Sequence, residues 1–190
     1  MDKLRNRLSF LHPLARLFVK MGIHPNTVTV MSFLLTSFSA YLFAKGYFII
    51  GAVILLIASA FDAIDGDGAR FSQKVTKFGA FLDSVLDRYS ETFIYMGFAY
   101  YYFTQTEFIF IFIAFLLILG AYMLSYTRAR AEGLGIQCKV GLLPRGARMV
   151  FVAIGAIFGP YVFKYFFLIL LILTHTTALQ RIAHVYRNLR

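Results

Sequence analysis

Six apolar runs dominate the chain, and polar and charged residues collect in the intervals between them. The runs cover Thr27–Ala44, Tyr47–Ala63, Gly79–Phe103, Phe108–Tyr126, Ala147–Gly159 and Tyr161–Leu179. A helix needs about 20 residues to cross the hydrocarbon core of a bilayer. The pattern therefore predicts six transmembrane helices. The second and fifth runs are short for this purpose, so we expect their helices to extend into the adjoining loops.

The first 21 residues carry a different pattern, in which apolar residues recur at helical spacing among basic ones. The apolar positions are Leu4, Leu8, Leu11, Ala15 and Phe18. This spacing predicts an amphipathic helix in the membrane interface, broken at Pro13, and a disordered arm is the alternative. No cleavable signal peptide or internal repeat is recognisable. We therefore expect one all-α integral membrane domain over residues 1–190, with an interfacial segment at 1–21 and a six-helix bundle at 22–190.

The composition agrees with a bilayer as the solvent of this chain. Hydrophobic residues make up 59% of the sequence and charged residues 15%, whereas a soluble domain carries roughly a quarter charged residues. The single cysteine, Cys138, excludes an internal disulfide, and we interpret it as a small buried apolar side chain.

The basic residues indicate how the bundle is oriented. The net charge is +10, and the Lys and Arg residues collect in the N-terminal arm, the second-to-third and fourth-to-fifth connections and the tail. On the opposite side lie only Lys45 and, near the start of the last run, Lys164; Arg88 lies inside a run. The positive-inside rule then predicts a multi-pass protein of the cell membrane with both termini in the cytoplasm. Because topology accounts for the positive charge, nucleic acid is not an expected partner.

Four carboxylates stand out at the predicted cytoplasmic edge of the second and third runs. Asp62 and Asp65 are three residues apart, and Asp83 and Asp87 are four apart, so each pair shares a helix face. Within hydrocarbon each would cost about 2.5–3.5 kcal/mol, so compensation is needed. A solvated run of loop aspartates is the alternative. That alternative accounts for Asp67 but not for two aspartates inside an apolar helix.

Divalent metal ions are the compensation that this arrangement favours. Two such ions would neutralise four carboxylates, and ligands made only of oxygen favour Mg²⁺, Mn²⁺ or Ca²⁺ over zinc. Pairs of hard cations held by carboxylates recur in enzymes that carry out displacement at phosphorus. The residues therefore predict a two-metal site at the edge of the membrane.

The spacing of these residues resembles the signature of the CDP-alcohol phosphatidyltransferase family. The matching positions are Asp62, Asp65, Gly66, Ala69, Arg70, Gly79, Asp83 and Asp87. The resemblance implies an enzyme that moves the lipid phosphate of a CDP-lipid, either CDP-diacylglycerol or CDP-archaeol, to a small alcohol and releases CMP. It also implies two Mg²⁺ ions, with Mn²⁺ as the alternative, and a homodimer in the membrane lipid.

The same resemblance implies a role for each residue of the site. Asp62, Asp65 and Asp83 are expected to bind metal, and Asp87 is expected both to bind the second metal and to deprotonate the acceptor hydroxyl. The residues expected to hold the CDP group are Asn26, Thr27, Gly66, Ala69, Arg70, Thr76 and Gly79. A glycine lets the backbone approach a nucleotide closely, and an arginine offers a planar fork to phosphate oxygens.

The acceptor is expected to carry a phosphate of its own. Positive charge collects near the predicted site at Arg128, Lys139, Arg145 and Arg148, although ordinary positive-inside bias explains part of it. Together with Gly22–Thr29, this region resembles the inositol-phosphate branch of the family, which implies inositol phosphate as acceptor. The run Pro144–Arg148 departs from the acidic-basic pair of that branch, so glycerol 3-phosphate and a transfer from CDP-inositol to inositol phosphate remain alternatives.

A divalent-cation transporter is the alternative from a different class. It would use the same carboxylates, but cation transport has no evident need for the spacing of Gly66, Ala69, Arg70 and Gly79.

Glu91 continues the face of Asp83 and Asp87 by one more turn of helix. It lies about 6 Å deeper along the third run than Asp87, since a helix rises about 1.5 Å per residue. We therefore expect Glu91 to lie outside the metal site and to form an ion pair with Arg88, three residues earlier.

Overall fold

The computed structural model of this chain describes residues 25–71 and 76–189, together with the side chains of 26–62 and 76–189. Over these residues the chain forms six helices and no strand, which confirms the all-helical prediction. The helices are α1 Pro25–Ala44, α2 Phe48–Phe71, α3 Lys77–Thr104, α4 Phe108–Gly133, α5 Arg145–Ile157 and α6 Gly159–Asn188. The predicted interfacial segment at 1–21 lies outside the described residues.

Three of these helices are long and apolar enough to cross a membrane. They are α1 from Asn26 onward, α4 and α6, with 19, 26 and 30 residues. The apolar part of α2 is shorter, α5 has 13 residues, and α3 carries four charged residues along its first half. Length and composition therefore support three spans directly, and six crossings remain a prediction.

The helix ends differ from the apolar runs in ways that matter for the site. Helix α2 continues to Phe71, eight residues beyond its run, so Asp62 and Asp65 belong to a helix rather than to a loop. Helix α5 begins at Arg145 and ends at Ile157. The break that follows is set by Gly159, whose φ of +82° lies in the left-handed region that favours glycine.

Aromatic rings fill the centre of the bundle. Phe43 of α1, Phe98 of α3 and Phe163 of α6 stack in series, with ring centroids 4.4 Å and 4.2 Å apart. All three side chains are fully buried. Offset aromatic stacking adds to the free energy gained by burying the rings. This column joins three helices that are far apart in sequence.

Small residues bring α1 close to α2 and α3. The hydroxyl of Ser39 donates to the carbonyl of Gly51 at 2.7 Å, and that of Ser32 donates to the carbonyl of Ala58 at 3.0 Å. At Gly97 the backbone of α3 approaches the carbonyl of Ala40 so closely that a Cβ atom would clash with it. Because α2 and α3 both pack on α1, these interactions fix the positions of the two helices that carry the aspartates.

We predict that Gly97→Ala destabilises the protein by about 1–3 kcal/mol, the range typical of overpacking. The added methyl group would meet backbone atoms of Ala40, which cannot move aside as a flexible side chain can. Thermal unfolding in detergent measures the effect. The control is Gly133→Ala, since a Cβ there meets nothing within 4 Å. Equal melting temperatures for the two variants would contradict the close approach of the two backbones.

Candidate active site

Three carboxylates from α2 and α3 come together in the bundle. Asp62 lies near the end of the described side chains of α2, and Asp83 and Asp87 lie one turn apart on α3. One oxygen from each residue can be chosen so that all three lie within 4.8 Å of one another. The three side chains are partly buried. The structure thus brings together three of the four predicted metal ligands.

The fourth predicted ligand, Asp65, belongs to the last turns of α2. Three of the residues predicted to hold CDP, namely Gly66, Ala69 and Arg70, lie in the same turns. The side chains of all four lie outside the described residues. Their predicted roles therefore stay predictions.

Three other residues predicted to hold CDP come together at the start of α3. Thr76 caps the helix, because its hydroxyl accepts a hydrogen bond from the backbone N–H of Gly79 at 2.9 Å. A Cβ atom on Gly79 would lie 2.8 Å from Oδ1 of Asn26, so the absence of a side chain lets the start of α1 approach the start of α3. Thr27 follows on α1 and is exposed. This junction lies one helical turn from Asp83.

Arg145 joins the aspartates from a third helix. It is the first residue of α5, and its Nη1 lies 3.0 Å from Oδ2 of Asp62 and 2.5 Å from Oδ1 of Asp87. An arginine side chain keeps its positive charge in proteins, and two carboxylates face this one. The guanidinium is therefore charged. It neutralises one of the three negative charges in the cluster.

The remaining charge and the donor atoms of the cluster fit a divalent cation. Asp62, Asp83 and Asp87 supply only oxygen ligands, which suit Mg²⁺ and Mn²⁺. A further positive charge is on Arg88, 3.8 Å from Asp87 and about a third exposed. The Nε atom of Arg145 is buried and has no hydrogen-bond partner among the residues that the structure describes. The Arg145 guanidinium therefore has one N–H group left to donate to a ligand.

The structure corrects the predicted partner of Glu91. Arg88 turns toward the start of α3, donates to the carbonyl of Ser84 at 2.6 Å and lies beside Asp87. Glu91 instead forms a two-pronged ion pair with Arg148 of α5, in which both N···O distances are 2.7 Å. The i,i+3 rule favoured Arg88, but a bundle places charges of different helices just as close. Glu91 does lie outside the group of three carboxylates that could hold a metal.

Arg148 does not have the geometry predicted for a residue that binds the acceptor phosphate. Its side chain is 3% exposed. Nε and Nη2 donate to Glu91, and Nη1 donates to the carbonyl of Leu143 at 3.2 Å. A phosphate would have to displace a buried carboxylate to reach it, which is costly for a paired charge. The structure therefore gives Arg148 a supporting role.

The two remaining predicted acceptor residues lie at the surface. Arg128 pairs with Glu132 one turn later on α4 at 2.9 Å, and both side chains are about half exposed. Lys139 is exposed in the segment between α4 and α5. An exposed ion pair contributes about 0–1 kcal/mol, so Arg128 can exchange Glu132 for another anion at little cost.

Sequence reasoning gave Arg181 no role beyond topology. In the structure its Nε donates to the carbonyl of Val140 at 3.1 Å, and its Nη1 donates to the carbonyl of Leu124. Arg181 thereby ties the segment that carries Lys139 to α4 and α6. No feature of the sequence separates it from the other basic residues of the tail. The position of Glu91 inside an apolar run does indicate a charge that needs a buried partner, but it does not say which arginine supplies it.

Comparison with known proteins identifies the architecture that holds this site. Residues 22–179 match the family model described as CDP-alcohol phosphatidyltransferase. The chain belongs to the CDP-alcohol phosphatidyltransferase family. The family, the enzyme class and the phosphotransferase interpretation predicted from the aspartate spacing are thereby confirmed, and the transporter alternative loses its support.

Relatives of this phosphatidyltransferase include synthases from archaea and bacteria. The archaetidylinositol phosphate synthase of Pyrococcus horikoshii is 33% identical over 180 residues, which are 94% of this chain and 92% of the relative. The phosphatidylinositol phosphate synthase of Streptomyces avermitilis is 31% identical over 152 residues, covering 78% of this chain and 62% of the relative.

Solved structures of phosphatidylinositol phosphate synthase from Mycobacterium tuberculosis have the same fold. The structure with CDP-DAG bound gives a TM-score of 0.83 at 27% identity and covers 93% of both chains. The complex with manganese and citrate gives 0.81 at 26% identity, covering 93% of this chain and 88% of that one.

We predict that Asp83→Asn lowers transfer at least about 100-fold while the protein stays folded in membranes, because a carboxylate that holds metal loses its charge and its geometry together. Asp62→Asn should behave in the same way. CMP release across a Mg²⁺ titration measures the effect, and the elution volume in gel filtration reports folding. Full activity of either variant at ordinary Mg²⁺ would remove that residue from the metal site.

Proposed function

We propose that this phosphatidyltransferase transfers the lipid phosphate of a CDP-lipid to an inositol phosphate and releases CMP. The observation that supports this most strongly is the meeting of Asp62, Asp83 and Asp87 with the basic start of α5. The fold in which they meet matches a phosphatidylinositol phosphate synthase over nearly its whole length. The relatives are archaetidylinositol and phosphatidylinositol phosphate synthases, which favours inositol phosphate over glycerol 3-phosphate as acceptor.

The residues that would hold the metal are Asp62, Asp65, Asp83 and Asp87, with two Mg²⁺ ions as the proposed complement and Mn²⁺ as a substitute. When bound, the cations polarise the donor diphosphate and stabilise the charge of CMP as it leaves. Manganese in the Mycobacterium tuberculosis synthase supports a divalent ion in this fold.

The donor is held at the junction of α1 and α3. Asn26, Thr27, Thr76 and Gly79 bind the CDP group there, together with Gly66, Ala69 and Arg70 of α2. Because Gly79 carries no side chain, Asn26 and Thr76 can both approach the start of α3 at this junction. The backbone N–H groups at the start of a helix favour negatively charged phosphate oxygens. This places the reacting phosphorus within one or two helical turns of Asp83 and Asp87.

Asp87 is the general base in this proposal. It accepts the proton of the acceptor hydroxyl as the oxygen attacks the lipid-linked phosphorus in line with the bond to CMP. The ion pair with Arg145 stabilises the ionised carboxylate before the reaction. That ion pair uses Oδ1, and in this proposal the other oxygen, Oδ2, which lies 3.8 Å from Nη1 of Arg88, faces the acceptor.

The acceptor phosphate is bound by Arg128, Lys139 and Arg145. Arg145 lies against the catalytic carboxylates and keeps an unused buried donor, Nε. Arg128 can exchange its exposed partner for a phosphate, and charge-assisted bonds to phosphate are stronger than ordinary ones. In this proposal Arg148, which is paired with Glu91, supports these three residues without binding the phosphate itself.

The orientation proposed for the molecule follows from its charges. Residues 1–190 form one domain that crosses the cell membrane six times, with the site and both termini in the cytoplasm. The basic residues at the end of α4 and the start of α5 favour that side. A homodimer embedded in membrane lipid is the proposed assembly.

A panel of acceptors tests the function directly. Purified protein with Mg²⁺ is given CDP-diacylglycerol or CDP-archaeol and radiolabelled inositol phosphate, inositol or glycerol 3-phosphate, and the release of CMP is measured. We expect inositol phosphate to support the fastest release, since its phosphate meets the basic group at α5. Faster release with glycerol 3-phosphate would overturn the proposed acceptor. Activity with CDP-inositol in place of a CDP-lipid would overturn the proposed donor.

We predict that Arg128→Ala raises KM for the acceptor by about tenfold, the loss expected for one charged hydrogen bond. KM for the CDP-lipid should stay within a factor of about two, because the donor is held at the other end of the site. The control is Arg187→Ala, an exposed arginine in the last turn of α6. An equal rise in both KM values for Arg128→Ala would indicate a role other than binding the acceptor.

A further inference from the structure

Two ion pairs connect α3 with α5 at successive turns. The outer pair joins Asp87 to Arg145, and the inner pair joins Glu91 to Arg148. Glu91 follows Asp87 by four residues and Arg148 follows Arg145 by three, so each pair of like residues shares a helix face. The outer pair belongs to the site. The inner pair includes none of the three clustered carboxylates.

The ion pair of Glu91 and Arg148 is buried and hydrogen-bonded in a way that fixes its geometry. Its two side chains are 3% and 4% exposed, and both guanidinium bonds to the carboxylate are 2.7 Å long. The hydroxyl of Tyr95, one turn further along α3, donates to Glu91 at 3.0 Å. Burying an ion pair costs as much in lost hydration as it returns, so stability alone does not account for it. What such a pair supplies is a fixed register between two helices.

Arg148 also fixes the backbone that leads into α5. Its Nη1 donates to the carbonyl of Leu143, two residues before Arg145. Helix α5 has 13 residues, follows a segment without helix at 134–144 and packs on α2 and α6, so contacts of its first turn with α3 come from side chains. The side chain of Arg148 therefore anchors both the start of the helix and the chain just before it.

We propose that Glu91 and Arg148 are positioning residues that hold Arg145 against Asp62 and Asp87. This inference depends on the proposed function at one point, namely that Arg145 binds the acceptor phosphate. Without the inner pair, the first turn of α5 can shift relative to α3. Arg145 is then misplaced although its own side chain is intact.

A double-mutant cycle tests this with Glu91→Gln, Arg145→Gln and the combined variant. Activity is followed as CMP release with whichever acceptor serves the wild-type protein, so failure of the inositol phosphate assignment leaves the cycle readable. We expect Glu91→Gln to raise KM for the acceptor by about 10-fold to 100-fold, the range for a misplaced binding group, with KM for the CDP-lipid unchanged. In the Arg145→Gln background the same change should alter KM less than about twofold.

The cycle separates positioning from plain stabilisation. Glu91→Gln should still lower the melting temperature when Arg145 is absent, because its own ion pair with Arg148 is lost, whereas its effect on KM should vanish. The control is Glu107→Gln, which breaks the 2.6 Å ion pair with Lys164 at the other end of α3 and should lower stability without changing either KM. Independent effects of Glu91→Gln and Arg145→Gln on KM would overturn the proposal.

Two milder variants keep the test available if Glu91→Gln does not fold. Arg148→Lys keeps the charge but cannot form the two-pronged ion pair together with the bond to Leu143, and Tyr95→Phe removes one hydrogen bond to Glu91. Each should raise KM for the acceptor, Arg148→Lys by more than Tyr95→Phe, and only while Arg145 is present. A normal KM for folded Arg148→Lys and Tyr95→Phe would equally overturn the proposal.

Discussion

The placing of carboxylates inside an apolar helical bundle is the constraint on which the rest of this structure depends. A charge taken out of water must meet an opposite charge, because the surrounding side chains offer no solvation. Helix α3 carries three acidic residues at successive turns, and each lies toward the same part of the bundle. The positive charges that balance these carboxylates come from the arginines of α5 and, in the proposed function, from bound metal. The start of α5 is therefore as much a part of the site as the aspartates are.

Because of this constraint, two residues of the same type, Arg145 and Arg148, lie in different environments. Arg145 is partly exposed and pairs with two carboxylates that the proposed metal would also bind. Arg148, one turn deeper, has every guanidinium nitrogen engaged and is closed to solvent. Two arginines three residues apart thus have different proposed roles: Arg145 binds the acceptor, and Arg148 holds α5 in place. Depth along the helix, rather than residue type, makes the difference.

The sequence was sufficient wherever the information is local. The spacing of Asp62, Asp83 and Asp87 predicted their helix faces and the family. The apolar runs predicted the starts of all six helices to within two residues, whereas α2, α4 and α6 continue seven to nine residues beyond their runs. It was insufficient wherever two helices meet. The partner of Glu91 was predicted on its own helix, because spacing along one helix says nothing about which residue of another lies opposite. Arg145 was grouped with the acceptor residues, and its ion pairs with the aspartates became evident only from the packing of α5. The end of the apolar run did not predict the end of α2, because the last two turns of this helix are mostly polar.

The short length of α5 affects the depth in the bundle at which a lipid substrate and a water-soluble substrate can meet. Thirteen residues cover about 20 Å along the axis, whereas the 30 residues of α6 cover about 45 Å and the hydrocarbon layer is about 30 Å thick. Since Gly159 sets the far end of α5, its near end stops well short of the level that α4 and α6 reach. Arg145 then lies deeper in the bundle than the last turns of α6. In the proposed function the two substrates react at that depth, so the lipid donor stays close to its leaflet and the soluble acceptor has to enter the bundle to reach Arg145.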